Sequence, residues 1–69
     1  GVASIIIGHN HPGGQTKPSQ EDIRFTRQLV NAGEIIGIRV LDNIIIGNNG
    51  GFFAFSGQTP ECLQPTFQI

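Results

Sequence analysis

Two isoleucine runs limit the folds that this 69-residue chain can adopt. Residues 3–8 read Ala-Ser-Ile-Ile-Ile-Gly, and residues 44–47 read Ile-Ile-Ile-Gly. A run that is apolar at consecutive positions, rather than at alternate ones, is typical of a strand covered on both faces. We therefore predict an α/β chain with two similar buried strands. Because the first of them opens the chain and is predicted to be central, we expect its neighbours to come from upstream residues or from another chain.

A helix is predicted from Ser19 to Ala32, after a loop over residues 8–17 in which the Pro-Gly-Gly of residues 12–14 favours tight turns. Ser19 is a good N-cap, two acidic residues in the first turn suit the positive helix start, and Gly33 is a natural stop. The predicted apolar stripe of this helix comprises Ile23, Phe25, Leu29, Val30 and Ala32. Its outward positions are Arg24, Arg27, Gln28 and Asn31.

Three further strands are predicted after the helix, and the residues that separate them are typical of breaks and turns. Asp42-Asn43 indicates a break, and Asn48–Gly51 is typical of a turn that closes a hairpin. The strands are residues 35–41, 44–46 and 52–55. From Ser56 onward the sequence has no period, and we expect irregular chain.

Composition argues against several classes of protein. The net charge is −1 with four basic residues, so no basic face supports nucleic-acid binding. Cys62 is the single cysteine and cannot form an internal disulfide; we expect a buried thiol. No apolar run approaches the roughly 20 residues of a membrane span, and no signal peptide is present, which favours a cytoplasmic protein. We assign residues 1–57 to one domain and 58–69 to an irregular tail.

A candidate metal site follows the first isoleucine run. His9 and His11 project to the same side of extended chain, and Asp22 lies in the first helical turn, facing back towards them. Ligand sites in α/β sheets lie outside the carboxyl ends of strands, as these residues do. Two imidazoles and a carboxylate suit a zinc ion with an open fourth position. The pattern predicts a zinc-hydrolase site.

Each half of this pattern also has a simpler explanation. Ser19-x-x-Asp22 is by itself a helix-capping pattern, and His9 and His11 alone would be a pair of loop histidines. The letters His-Asn-His do not indicate the nuclease class of that name, whose residues are dispersed along the chain. The conjunction favours the metal site, because a capping box does not require histidines eight and ten residues before it. The two explanations are compatible.

The spacing His9-x-His11, seven residues, then Ser19-x-x-Asp22 resembles the JAMM (MPN+) metalloprotease signature. The longer run, which includes prolines and a glycine between these residues, resembles the RadC-type branch of that superfamily. The resemblance covers roughly residues 3–57. Its other matching positions are Pro12, Gly14, Pro18, Thr26, Leu29, Ala32-Gly33, Gly37-Ile38, Leu41-Asp42 and Ile44–Gly47.

This resemblance implies a fold, a cofactor and a reaction. The fold is a cytidine-deaminase-like mixed α/β sheet with a flanking helix, truncated here at the N-terminus. His9, His11 and Asp22 are implied to ligate Zn²⁺, and Ser19 to hydrogen-bond the oxyanion or the bound water while that water attacks an amide carbonyl. The deaminases themselves are not supported, because Cys62 alone supplies no Cys-x-x-Cys ligands.

Three positions depart from the RadC-type pattern. The general base of the family is a glutamate on a strand upstream of the first histidine, whereas Glu21, Glu34 and Glu61 all lie downstream. Loss of a general base typically costs a factor of about 10²–10⁴ in rate. Asn43 stands where the family usually has histidine, and Gly13 replaces a common serine.

Three functions follow from these observations. The first is a zinc-dependent hydrolase domain acting on a peptide or isopeptide substrate, with its base supplied from elsewhere. The second is a catalytically silent metal-binding or protein-interaction module of the same fold. The third is the DNA-repair role of the family's traditional label, which the near-neutral charge does not support. Unpaired strand edges also predict homo-oligomers.

Overall fold

The computed structural model describes residues 3–11 and 15–66, so the turns predicted at residues 12–14 lie outside the described residues. Three strands form one mixed sheet in the order β1-β2-β3, with β1 parallel and β3 antiparallel to β2. This confirms the predicted α/β class with a flanking helix. The elements are β1 (Ala3–His11), α1 (Gln20–Ile36), β2 (Ile38–Gly47), β3 (Phe52–Ala54), α2 (Phe55–Gln58) and a 3-10 helix (Pro60–Leu63).

Strand β1 is longer and less covered than predicted. It continues beyond Gly8, and its pairing with β2 extends to His11 opposite Gly47, so both histidines lie on the strand rather than in a loop. Among the described strands β1 forms an edge of the sheet, and Ile6 is 61% exposed. No described helix covers β1, because the helices of the chain pack on β2. The expectation that the neighbours of β1 come from upstream residues or from another chain stays a prediction.

Strand β2 runs without the predicted break at Asp42-Asn43. Ile5 pairs with Val40 and Ile6 with Asp42, so the residue between them, Leu41, is extra and forms a bulge. The carboxylate of Asp42 accepts hydrogen bonds from the backbone N–H and the hydroxyl of Ser56, at 2.9 and 2.6 Å. Asp42 and Asn43 therefore follow a bulge that hydrogen bonds connect to α2, and the strand continues through them. Residues 35–36, predicted as strand, belong to α1.

Helix α1 begins as predicted and ends one turn later. Ser19 is its N-cap, but the helix passes through Gly33 and stops at Gly37, whose φ of 81° is the left-handed conformation that favours glycine. Gly33 is buried, and a Cβ there would overlap the carbonyl oxygen of Ile38. This glycine is therefore required for close packing of the helix against the start of β2.

The buried face of α1 differs in part from the predicted stripe. Val30 is buried, but Phe25 is 54% exposed and Ala32 is exposed as well. Thr26, which was not in the stripe, is fully buried. Of the four predicted outward residues, Arg24 and Gln28 are exposed, whereas Arg27 and Asn31 are half-buried.

The core lies on β2 under the last part of the described chain. Ile45, Phe55 and Cys62 form a buried cluster, which confirms the expected burial of the cysteine. The prediction of irregular chain from Ser56 is wrong as far as Leu63, because α2 and the 3-10 helix bring Phe55 and Cys62 into this core. The division of the chain at residue 57 stays a prediction.

Replacing Gly33 by alanine is expected to destabilise the chain, although alanine favours a helix over glycine by about 1 kcal/mol. The new methyl group would displace the Ile38 carbonyl, and overpacking typically costs about 1–3 kcal/mol. A melting temperature lowered by several degrees in circular dichroism is the expected result. Gly57→Ala in α2 is the control, because its Cβ would have no heavy atom within 4 Å. Equal melting temperatures for the two variants would contradict the packing role of Gly33.

Candidate metal centre

The structure brings His9, His11 and Asp22 together at the carboxyl end of β1. One ligand atom from each lies within 4.8 Å of the others. Nε2 of His9 is 3.5 Å from Oδ1 of Asp22, and Nε2 of His11 is 3.0 Å from Oδ2. The two rings lie on the same face of the strand with centroids 5.2 Å apart. Within residues 3–11 and 15–66 no other group of histidine, cysteine or acidic side chains has this geometry.

Ser19 fixes the carboxylate of Asp22 through a capping box. The backbone N–H of Ser19 donates to Oδ2 of Asp22 at 2.8 Å, and the N–H of Asp22 donates to Oγ of Ser19 at 3.1 Å. The simpler explanation of this pair is therefore correct. It coexists with the cluster, because the capping carboxylate also faces both histidine rings. Ser19 lies beside the site through this contact, and its predicted role towards a substrate stays a prediction.

A hydrogen bond to the backbone orients the His11 ring. Its Nδ1 lies 2.9 Å from the carbonyl oxygen of Gln15. A carbonyl only accepts, so Nδ1 carries the proton, and in the neutral ring Nε2 presents its lone pair to the cluster. Metal-binding histidines are commonly held in this way, with the second nitrogen donating to a carbonyl or carboxylate.

The histidine nitrogens that face Asp22 are poorly satisfied by the protein itself. Nε2 of His9 is buried and has no hydrogen-bond partner within residues 3–11 and 15–66. Nε2 of a neutral His11 and Oδ2 of Asp22 are both acceptors, yet they lie 3.0 Å apart. An unsatisfied buried polar group typically costs about 1–3 kcal/mol. A cation bound among the three side chains would satisfy these lone pairs, so the donor set fits a metal ion.

The carboxyl group of Asp22 is held in its ionised form. Burial alone would raise its pKa, but the opposing influences are larger together: hydrogen bonds with the backbone and side chain of Ser19, and the positive charges that His11 and His9 carry when protonated. The net effect lowers the pKa of Asp22 below its ordinary value. At neutral pH the group is therefore a carboxylate, which is the form that ligates metals.

Two buried polar residues lie next to the cluster; sequence reasoning gave Thr26 only as a position that matches the RadC-type pattern and Asn43 only as a departure from it, with no role at the site for either. Asn43 and Thr26 are fully buried, and Nδ2 of Asn43 donates to Oγ1 of Thr26 at 2.7 Å. Thr26 donates in turn to the carbonyl oxygen of Asp22 at 2.7 Å. The available signal was the position of Thr26, which lies one turn after Asp22 on the same face of α1.

The glutamates do not contribute to the cluster. Glu21, Glu34 and Glu61 are all exposed, and none belongs to the group formed by the histidines and Asp22. This agrees with the sequence analysis, in which none of them matches the upstream position where the resemblance implies a general base.

A groove borders the cluster on the side of β2. Its volume is about 470 Å³, and its lining is formed by Asn10, His11, Ile46, Gly47 and Asn48. His11 therefore belongs both to this groove and to the metal cluster.

The family relationship of the chain follows from its sequence over nearly its whole length. The sequence profile of the RadC-like JAB domain matches residues 1–60. The chain belongs to the RadC-like JAB domain family. The RadC-type resemblance of the motif is thereby confirmed, and the mixed sheet with its flanking helices is consistent with part of a JAB domain. All residues of the candidate cluster lie within the matched region.

Proteins similar to this RadC-like JAB domain are considerably longer. A UPF0758 protein of Pelobacter propionicus is 60% identical over 54 residues, which are 78% of this chain and 23% of that protein. UPF0758 proteins of Desulforamulus reducens and Moorella thermoacetica are 64% and 63% identical over 70% and 68% of the chain, and over 21% and 20% of their own lengths. The chain thus spans about a fifth of the relatives it matches. Within the described residues, no helix has the length and apolar character needed to cross a bilayer.

Proposed function

We propose that this domain is the zinc-binding part of a hydrolase that cleaves peptide or isopeptide bonds. One observation carries the proposal: two imidazole nitrogens and a carboxylate converge, and the buried Nε2 of His9 has no hydrogen-bond partner among the described residues. Three protein ligands with an open fourth position are typical of catalytic zinc, and structural zinc sites usually have four. The family relationship supports the same assignment.

His9, His11 and Asp22 are the residues that would hold the ion. A bound zinc ion would supply a Lewis acid that polarises a carbonyl and lowers the pKa of a water molecule to about 7. The hydrogen bond to Gln15 keeps the His11 lone pair directed at the site, and Ser19 keeps the carboxylate of Asp22 in place. These contacts orient the donors before any ion binds.

Ser19 and the groove are proposed to contact the substrate. Oγ of Ser19 accepts the N–H of Asp22, and its own O–H is a donor suited to the negative charge that develops on a carbonyl oxygen under attack. The groove that His11 lines is the proposed site for the substrate. In this proposal Ser19 stabilises charge and is not the nucleophile.

The general base is proposed to come from outside the described cluster. Glu21, Glu34 and Glu61 are exposed and lie outside the cluster, so none of them is proposed as the base. The greater length of the relatives supports a base supplied by a longer protein. The isolated chain would then be slower than a complete protein by a factor of about 10²–10⁴.

Cleavage assays test this proposal. We expect the zinc-loaded chain to cleave members of a fluorogenic peptide and isopeptide panel slowly, the full-length Pelobacter propionicus relative to cleave the same members faster, and chelator to stop both. Asp22→Ala should remove the activity of the chain. The exposed neighbour Glu21→Ala is the matched control and should retain it, because Glu21 is outside the cluster.

A catalytically silent metal-binding module is the second candidate, and the absence of a glutamate from the described cluster is the observation that favours it. Under this alternative the chain and the relative both bind zinc, and neither cleaves any member of the panel. That result would overturn the hydrolase proposal and leave the metal site intact.

A further inference from the structure

We propose that Thr26 and Asn43 are positioning residues that hold Asp22 at its distance from the two histidines. The inference rests on metal binding in the proposed function, and it does not depend on hydrolysis. Its basis is the chain of hydrogen bonds that runs from the sheet, through Thr26, to the backbone of Asp22.

The direction of these hydrogen bonds is determined by the groups involved. The carbonyl oxygen of Asp22 only accepts, so the hydroxyl proton of Thr26 is donated to it. Oγ1 of Thr26 must then accept from Asn43, which orients the amide with Nδ2 towards the helix. The donor and the acceptor of each hydrogen bond in this series are therefore fixed.

This connection joins the two halves of the metal centre. Asn43 lies on β2 and is paired with Ile7 of β1, two residues before His9. The backbone of β1 packs against β2 and against no other described element, so the position of α1 relative to the histidines is set through β2. Thr26 and Asn43 provide the polar contact between α1 and β2 at that point, one helical turn from Asp22.

Stability alone does not account for this pair. Both residues are fully buried, and Oδ1 of Asn43 has no hydrogen-bond partner in the part of the chain that the structure describes. Burial of polar groups between a helix and a sheet opposes folding, and an apolar pair of similar shape is often as stable or more stable. Hydrogen bonds have a narrow range of distance and angle, which apolar packing lacks. The contact is therefore suited to fixing the position of the first turns of α1.

Thr26→Val and Thr26→Ser form the matched test. Valine keeps the shape and removes both hydrogen bonds, whereas serine retains the hydroxyl. We expect Thr26→Val to weaken zinc binding by about 10- to 100-fold in a chelator competition titration, and Thr26→Ser to leave it unchanged. The absorption spectrum of the Co²⁺ form should change in Thr26→Val as well, because the geometry of the ligands changes.

Two further variants separate positioning from general loss of stability. Val30→Ala removes buried contacts from the same helix, away from the cluster, and should lower the melting temperature without changing zinc affinity. If Thr26→Val does not fold, Asn43→Leu removes the same hydrogen bond by changing its partner on β2. This variant should weaken zinc binding to a similar extent.

Three results would overturn the inference. They are unchanged affinity in Thr26→Val or Asn43→Leu, an equal loss in Val30→Ala, and failure of Thr26→Ser to retain binding. Absence of zinc binding by the unmodified chain would overturn the proposed function along with it, whereas normal binding by the unmodified chain and Thr26→Val alike would overturn the positioning role alone.

Discussion

His11→Ala is expected to weaken zinc binding by more than about 100-fold. Loss of a group that merely orients a ligand typically costs 10- to 100-fold, so loss of the ligand itself should cost more. His11 is the better oriented of the two histidines, because Gln15 fixes its ring and its Nε2 lies 3.0 Å from Asp22. Competition with a chromogenic zinc chelator at neutral pH measures the effect.

Asn10→Ala is the matched control for this variant. Asn10 lies between the histidines in β1 but projects to the opposite face, and it is exposed. Zinc affinity should be unchanged in it. If His11→Ala retained affinity within tenfold of the unmodified chain, or if Asn10→Ala lost as much, the ligand assignment would be wrong.

Zinc is expected to raise the melting temperature of the chain by about 10–20 °C. A ligand that binds only the folded state at 100 times its dissociation constant contributes about 2.7 kcal/mol, and each kcal/mol corresponds to about 4–8 °C in a domain of this size. The ion would satisfy Nε2 of His9 and separate the acceptors of His11 and Asp22. Thermal denaturation with zinc and with excess chelator measures the difference.

The specificity of this stabilisation has two controls. Mg²⁺ should have little effect, because it prefers octahedral oxygen ligands and the cluster offers two nitrogens. The double variant His9→Ala with Asp22→Ala should show no increase with zinc. Identical melting temperatures for the unmodified chain in zinc and in chelator would contradict the coupling of metal binding to folding.

The cluster was predictable from the sequence because its geometry is local. Alternation along a strand places His9 and His11 on one face, and the Ser19 cap directs Asp22 back towards them. The structure brings these residues together with the capping box intact. The hydrogen bond between Thr26 and Asn43 could not be predicted from a local pattern, because the two residues are 17 positions apart in the sequence.

The errors in the predicted fold have a common physical cause, which is that tertiary packing outweighed a local signal. Gly33 does not end the helix, because it is needed where α1 meets the Ile38 carbonyl. Asp42 does not end a strand, because its carboxylate accepts hydrogen bonds from Ser56 at a bulge. Phe55 and Cys62 belong to the core although their segment has no hydrophobic period.

X-ray absorption spectroscopy of the zinc-loaded chain tests the metal centre most directly. The proposed zinc site predicts one zinc ion per chain, with imidazole scattering from His9 and His11 and nitrogen or oxygen neighbours at about 2.0–2.2 Å. The thiol of Cys62 is buried in the core with Ile45 and Phe55, so no sulfur neighbour is expected. A sulfur neighbour at about 2.3 Å, or a spectrum without two imidazoles, would contradict the assignment.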